Sequence, residues 1–592
     1  MHAGLFLLLA VAFLGTACSN RQAVARIDES GPPVRGGTLE VVGLSDVDHW
    51  ATTSASFASA YWLFSTFARQ LLTFPTILAG DNSEIVPLEP DLALEVPTIE
   101  NGGITADGRV YTFHIRRGVR WNSSPPREVT AHDIVRGFRL LCNPAVPAFA
   151  LRSISSTIAG MARYCDDFAR VAPTAKTMRE FINMHDFEGV RAVDDSTVVF
   201  SLLTPAADFA YLVALPYASA VPAEYLQYLP DSPEFRQHML SNGPYRVARY
   251  VQDREMSLER NPVWDATTDP QRAAYLDRIR LRFGMDVQLQ HLEIEAGTAD
   301  LSFDLQVPST ELATLLSVHD PTVWLFPPGD KYAAHRYIVF NFVGPNVALK
   351  QRLVRNAIAL AVDKNALVRM VGGYAVARAL RQAVPSSMTG FVDDADRFVT
   401  PGDRGDPTAA RGLLAEAGYP RGMTLKLAYV TSDSLLAQVL QASLGRTGLE
   451  IHLMPLTPAD LYGRLMSDTE HARRGDWDLA LFSITGPDWF GENNGRSFAM
   501  TQFDSRQSTS MNPGGYSNRE VDALFDRATS APSVDLAKRA WLDAARLLME
   551  DVALVPLVEK KLAFARSSRV RNCRSNGWNC DPTTVWLADA TR

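Results

Sequence analysis

From Tyr111 to Trp121 apolar and polar positions alternate. Tyr111, Phe113 and Ile115 are separated by Thr112 and His114, the period of a half-buried strand. Arg116-Arg117-Gly118 breaks the run and Val119 and Trp121 resume it. Thr130 then stands as an N-cap, with Asp133 three residues on to complete the capping pattern, before a helix through Ile134, Val135 and Phe138. Ala58 to Leu72 carries Tyr61, Trp62, Phe64, Phe67, Leu71 and Leu72 at helical spacing. Val198 to Leu202, Ile279 to Phe283, Tyr337 to Phe342 and Ala553 to Leu557 read as strands. Leu353, Val354, Ala357, Ile358, Ala361 and Val362 form one helix face, with Arg355 and Asp363 expected outside it. Gly372-Gly373 ends the next helix in a left-handed turn.

A chain of 592 residues exceeds the ~250–300 at which one core stops growing, so two or more lobes are expected. Apolar content of 46% and charged content of 21% are those of an ordinary globular protein. The net charge of −8 argues against a general nucleic-acid binder, which carries a basic face. There is no Gly-x-x-x-x-Gly-Lys phosphate loop, no His-Glu-x-x-His and no Gly-x-Ser-x-Gly, which speaks against an ATPase and against the commonest hydrolases. No enzyme and no cofactor is expected. His291 and Glu295 have i, i+4 spacing, read as a solvated helix face and not as a metal site.

The apolar run Leu5 to Gly15 is too short to span a bilayer, which needs ~20 residues, and suits a secretion signal ending in Thr16-Ala17-Cys18. A cysteine directly after Ala17 resembles a lipoprotein signal, in which Cys18 is acylated and anchors the chain to the cell membrane. Residues 1–17 are then the signal peptide and 18–35 a polar tether. Four further cysteines allow three pairings, and nearness in sequence favours Cys142–Cys165 and Cys573–Cys580. An Asn576-Gly577 two-residue turn would place Ser575 opposite Trp578 and Cys573 opposite Cys580.

Several strings occur in an order that resembles the large solute-binding proteins of bacterial ABC importers, the peptide/nickel-binding family 5. They are Pro90-Asp91-Leu92-Ala93, the Tyr111–Trp121 block, and Asn242-Gly243-Pro244-Tyr245 with Arg260-Asn261-Pro262 after it. The turn Gly297-Thr298-Ala299-Asp300 follows, then Val354 to Lys364, Ala409 to Tyr419, Tyr516-Ser517-Asn518 and Ala553 to Leu557. The resemblance implies an α/β, two-lobed periplasmic-binding-protein-like fold with the ligand buried between the lobes. Residues 36–336 would form the first lobe, with an insert at about 61–190, and 337–556 the second. Residues 557–592 would return to the first, with crossings near Tyr337 and Pro556.

The resemblance also implies a function: an extracytoplasmic lipoprotein, monomeric, that captures short peptides and delivers them to permease subunits and their ATPases. Peptide-binding relatives carry an aspartate for the ligand's α-ammonium just after a Trp/Phe-Asp strand. Here that strand is Trp477 to Phe482, and one inserted residue brings Asp488 to the position. A buried ammonium requires such a carboxylate, because an unpaired buried charge is very costly. Trp489 is the expected pocket wall, with Tyr61 and Trp62 from the first lobe and Asn341 as a donor to ligand backbone. The altered Thr485–Trp489 segment leaves room for another ligand (haem, a nickel chelate, glutathione or an oligosaccharide). A surface receptor that has lost import is the third reading.

Overall fold

The computed structural model describes residues 31–55, 57–78, 87–146, 148, 151–206, 208–303, 307–326, 334–385, 398–466, 468–485, 495–506, 512–531, 534–575 and 579–589. Residues 1–30, and with them Cys18, lie outside this set, as do Asp488 and Trp489.

Along the chain, β1 (Thr38–Val42) is followed by α1 (Ala58–Phe64). An insert then carries β2 (Val110–His114), α2 (Ala131–Leu140), β3 (Val190–Asp194) and β4 (Thr197–Ser201). Strands β5 (Tyr245–Val251), β6 (Glu255–Arg260) and β7 (Arg278–Arg282), helix α3 (Val287–Glu295) and β8 (Leu301–Ser302) complete the first sheet, in the order β5-β6-β7-β1-β8. In it β1 runs parallel to β7 and β8.

Past β9 (Val323–Phe326) the chain forms β10 (Ala334–Phe340), α4 (Arg352–Ala361), α5 (Lys364–Met370), β11 (Ala377–Ala379), β12 (Thr424–Val430) and α6 (Ser434–Gly445). It continues with β13 (Glu450–Leu456), β14 (Leu479–Thr485), α7 (Val534–Glu550), β15 (Leu554–Lys560) and β16 (Leu562–Ala565). The second sheet has the order β11-β15-β10-β14-β12-β13. Two strands join the two sheets side by side. Tyr337 of β10 is the register partner of Pro556 of β15, and beyond them β9 pairs antiparallel with β16.

Three cores result. One gathers Leu39, Val41, Trp50 and Trp62 with Tyr245, Ile279 and Leu281, and adds Val570, Cys573, Cys580, Val585 and Leu587 from beyond β16. The insert has its own core, from Leu71 to Leu226. Trp62 and Phe64 belong to the first core, while Phe209 to Leu226 contribute to the insert's core. The third core surrounds the second sheet and α4. That sheet extends to Lys560, four residues past the expected boundary.

The period-two block behaves as its pattern predicts. Tyr111, Phe113 and Ile115 are buried, and the Asp133 carboxylate accepts the Thr130 N–H at 3.1 Å and the Trp121 Nε1–H at 3.0 Å. Both expected disulfides form, Cys142–Cys165 and Cys573–Cys580. The expected hairpin register does not hold: Ser575 bridges Cys580, and the strand Arg574–Ser575 also pairs with Ile77–Leu78. Arg355, expected outside, is buried. Its guanidinium donates to Leu349, Asp551 and Val552 carbonyls and lies 5.0 Å over the Phe342 ring.

Candidate functional site

Strands β12 and β14 run parallel, and in such sheets ligands bind beyond the carboxyl ends, where the chain turns away. A charged cluster sits at this edge. Arg336, near the start of β10, donates from Nε to Asp433 Oδ2 at 3.0 Å and from Nη2 to Oδ1 at 3.2 Å. Its Nη1 reaches Ser483 Oγ at 2.5 Å. Asp433 directly precedes α6, and Ser483 belongs to β14. The Tyr462 hydroxyl accepts the Ser483 N–H at 3.2 Å; burial pushes that phenol up to about 12.

Lys560 ends β15 at the same edge, where Ala334 is the register partner of both Lys560 and Thr485. It is half-buried, and no side chain among the described residues accepts a hydrogen bond from it. Desolvation, then the neighbouring Arg336, pulls its ammonium down to about 8 against the opposing pull of Asp433. Among the described residues, Arg336 and Lys560 thus share the Asp433 carboxylate.

A second feature joins the lobes. Arg496 lies close in sequence to Ala499, Met500 and Phe503 of the third core, and its guanidinium grips Asp208 of the insert: Nε to Oδ2 at 2.6 Å and Nη2 to Oδ1 at 3.2 Å. Nη1 adds Thr157 Oγ1 at 3.0 Å. Arg496 and Asp208 are each only 1% exposed, so the lobes meet here without intervening solvent. The Tyr217 hydroxyl lies near this pair and near Tyr61, and burial drives it well above the ordinary phenol range.

The residues expected from sequence separate under this geometry. Tyr61, half-buried on α1, donates its hydroxyl to the Ala55 carbonyl at 3.3 Å and lies near Tyr217. Trp62 does not line a cleft; it is 1% exposed and its Nε1–H donates to the Cys580 carbonyl at 2.7 Å. Asn341 is likewise occupied: Nδ2 donates to the Ala472 and Trp477 carbonyls, and Oδ1 accepts the Gly344 N–H. It closes the exit of β10, leaving no amide hydrogen for a ligand. Asp488 and Trp489 lie outside the described residues. His291 is buried and not solvated, with Nε2 at 3.2 Å from Glu311 and 3.6 Å from Glu295. Among the described residues no group of His, Cys, Asp or Glu is arranged to hold a metal.

Sequence reasoning passed over Arg336, Asp433, Lys560, Arg496 and Asp208. A signal existed for two: Arg336 opens and Glu559-Lys560 closes strands that are otherwise apolar, and a charge at the end of a buried strand calls for a partner.

The fold and this edge define a two-lobed binding protein. The model of the bacterial extracellular solute-binding proteins, family 5, matches residues 87–505, and the chain belongs to that family. It is a family of solute-binding proteins, not of enzymes. Di/tripeptide-binding protein 2 of Pseudomonas aeruginosa is 24% identical over 82% of this chain and 85% of its own. Heme-binding protein A of Haemophilus influenzae is 24% identical over 82% and 81%. Among solved structures, clavulanic acid biosynthesis oligopeptide binding protein 2 superposes with a TM-score of 0.78 at 26% identity, covering 94% of this chain and 96% of that one. Among the described residues no helix is long and apolar enough to cross a membrane.

Proposed function

We propose that this protein is the extracytoplasmic substrate-binding lipoprotein of an ABC importer. It captures short peptides between its lobes and delivers them to permease subunits driven by cytoplasmic ATPases. Acylated Cys18 would hold it at the membrane, and one copy would suffice for binding. Relatives named for di- and tripeptides support the ligand class. The observation that carries the site is the anchoring on both sides of residues 486–494, the segment with Asp488 and Trp489. Thr485 before it pairs with Ala334 on a strand joining the lobes, and Arg496 after it is bound to Asp208 and Thr157 of the opposite lobe. An aspartate between those anchors suits a ligand ammonium, with Trp489 as an amphipathic wall.

The test is native mass spectrometry of the protein purified without stripping, followed by titration of short peptides into wild type and Asp488→Ala. A mixture of released peptides and at least a tenfold loss of affinity in the variant are expected. N-acetylated peptides should bind wild type as poorly as free peptides bind the variant. The haem-binding relative motivates a second reading. A single non-peptide species released on denaturation would replace the peptide assignment with it.

A further inference from the structure

The insert carries a cavity of about 440 Å³ where α2 lies beside β3 and the end of the helix Ala175–Met184. That volume is in the range of small-molecule sites. His132, Arg136 and Arg139 line it from one face of α2, and Arg191 lines it from β3. Asp186 and Glu188 line it from the loop before β3. The lining stretches 132–139 and 182–192 are described throughout, and none of their residues joins the Arg496–Asp208 contact. Two of the cations are already engaged. Arg136 donates to Asp133 Oδ1 at 2.6 Å and to the Val221 carbonyl at 2.8 Å, and His132 stands 3.6 Å from the exposed Asp195. Arg139 is half-buried and donates from Nη1 to the Ile182 carbonyl at 3.1 Å. Among the described residues, Arg139, Arg191, Asp186 and Glu188 form no ion pair with one another or with anything else. Two of them are nevertheless close. Burial drives the Tyr164 phenol above its ordinary range, Arg139 opposes that rise and Asp186 adds to it, so both charges reach one hydroxyl.

We propose that this cavity is a second ligand site, for a small zwitterion whose carboxylate meets Arg139 and Arg191 and whose ammonium meets Asp186 and Glu188. Opposite charges that share a cavity without touching leave room for a molecule that touches both. The planar guanidinium fork matches a carboxylate, and a carboxylate matches an ammonium. Charge also decides what is turned away. A simple anion meets Asp186 and Glu188 as like charges, and a simple cation meets the arginines in the same way. Arg136 acts as a positioning residue: fixed by Asp133, it stands one helical turn from Arg139 and adds to the positive side. Val135, Ile182 and Phe187 are buried at the cavity and supply apolar surface for the methylenes between the ligand's charges. Every residue of the site belongs to the insert, so binding here needs no closure of the lobes and does not rest on the peptide reading above.

The experiment titrates the ω-amino acids from glycine to 6-aminohexanoate into the full chain, read by ligand-observed NMR, with acetate and methylammonium as single-charge controls. The variants are Arg191→Gln and the double variant Asp186→Asn, Glu188→Gln. All three positions are exposed, so the thermal midpoint should not move. One chain length should bind best, about tenfold tighter than either control, the effect of one charge-assisted hydrogen bond. Arg191→Gln and the double variant should each lose about that factor, while Asp488→Ala, aimed at the space between the lobes, should lose none. Acetate binding as tightly as the best zwitterion overturns the proposal, as does the absence of saturable binding by any member of the series. Binding that persists in both insert variants, or that disappears in Asp488→Ala, puts the ligand elsewhere and also overturns it.

Discussion

Two charged clusters in this molecule have similar composition and opposite bookkeeping. In the first lobe Asp91 and Asp269 face Arg69 and Arg272. Asp91 accepts Arg69 Nε at 2.6 Å and both Arg272 terminal nitrogens at 3.1 and 2.8 Å; Arg272 also reaches Asp269 at 3.1 Å. All four are buried, and two cations meet two hydrogen-bonded anions, with the buried Asp581 close to Arg272 and Asp269. Burial alone would raise the Asp91 carboxyl, but the two guanidiniums hold it down at about 2. At the second-lobe edge, among the described residues, Arg336 and Lys560 face the single carboxylate of Asp433. A closed network of this kind holds a fold together. The strings that make the family recognisable belong to the first cluster. Asp91 lies in one of them, and Asn242-Gly243 in another supplies an acceptor to the Arg69 N–H and a backbone so close to Thr66 that any side chain at 243 would collide.

The comparison breaks most visibly at Asp91. Asp91→Ala strands two buried guanidiniums, and a loss of about 3–5 kcal/mol in denaturant unfolding is expected. Ligand preference in whatever fraction still folds should be unchanged; a shifted preference would place Asp91 in recognition after all.

A smaller effect comes from Lys364, buried on α5 with its ammonium donating to the Leu380 carbonyl at 2.8 Å. Desolvation pulls it from 10.5 to about 7. The unfolded chain then binds more protons than the folded one between those values, so stability rises with pH across that window. The rise from pH 7 to pH 9 should be about 2 kcal/mol and should be missing in Lys364→Met, as measured by urea unfolding at both pH values. A slope shared by the variant would assign it to other groups.

The smallest expected loss lies between the lobes. Arg496→Ala and Asp208→Asn each separate a buried pair, yet opening of the lobes returns the orphaned partner to water, which Asp91 cannot achieve. A cost of about 1–2 kcal/mol is expected, with strong non-additivity in the double variant. Solution scattering should give a larger radius of gyration for the ligand-free variants. An unchanged radius would mean that this contact does not hold the lobes together.

Much of the scaffold was legible because each local rule agreed with the tertiary structure. Alternation placed Tyr111, Phe113 and Ile115 inside, and cysteine spacing gave both disulfides. Tyr337 and Pro556 lie in runs read as strands, and they are register partners on β10 and β15. Legibility failed where a residue's role depends on contacts distant in sequence. Arg355 looks solvent-facing on a helical wheel, but carbonyls 196 and 197 residues away draw it inside. Asn341 and Trp62 were chosen as polar-tipped groups suited to a ligand, but backbone carbonyls already occupy them. The Arg496–Asp208 pair spans 288 residues and carries no local pattern at all. The hairpin register was missed because only the turn was weighed, while the strand Arg574–Ser575 also pairs with Ile77–Leu78.

One feature bears on how the molecule is made. Asp300, in the turn after α3, accepts the Glu40 N–H on β1, the Ser567 hydroxyl and the Arg569 guanidinium, and Arg569 also donates to the Thr38 carbonyl, 531 residues away. Val570, Val585 and Leu587 fill the core that Leu39 and Val41 begin. The lobe that is synthesised first is therefore the one completed last. While the ribosome lays down everything between Phe303 and Val570, that core stands unfilled with apolar surface uncovered, a condition that slows folding and invites aggregation. The second sheet, whose strands all lie between Ala334 and Lys560, carries no such delay.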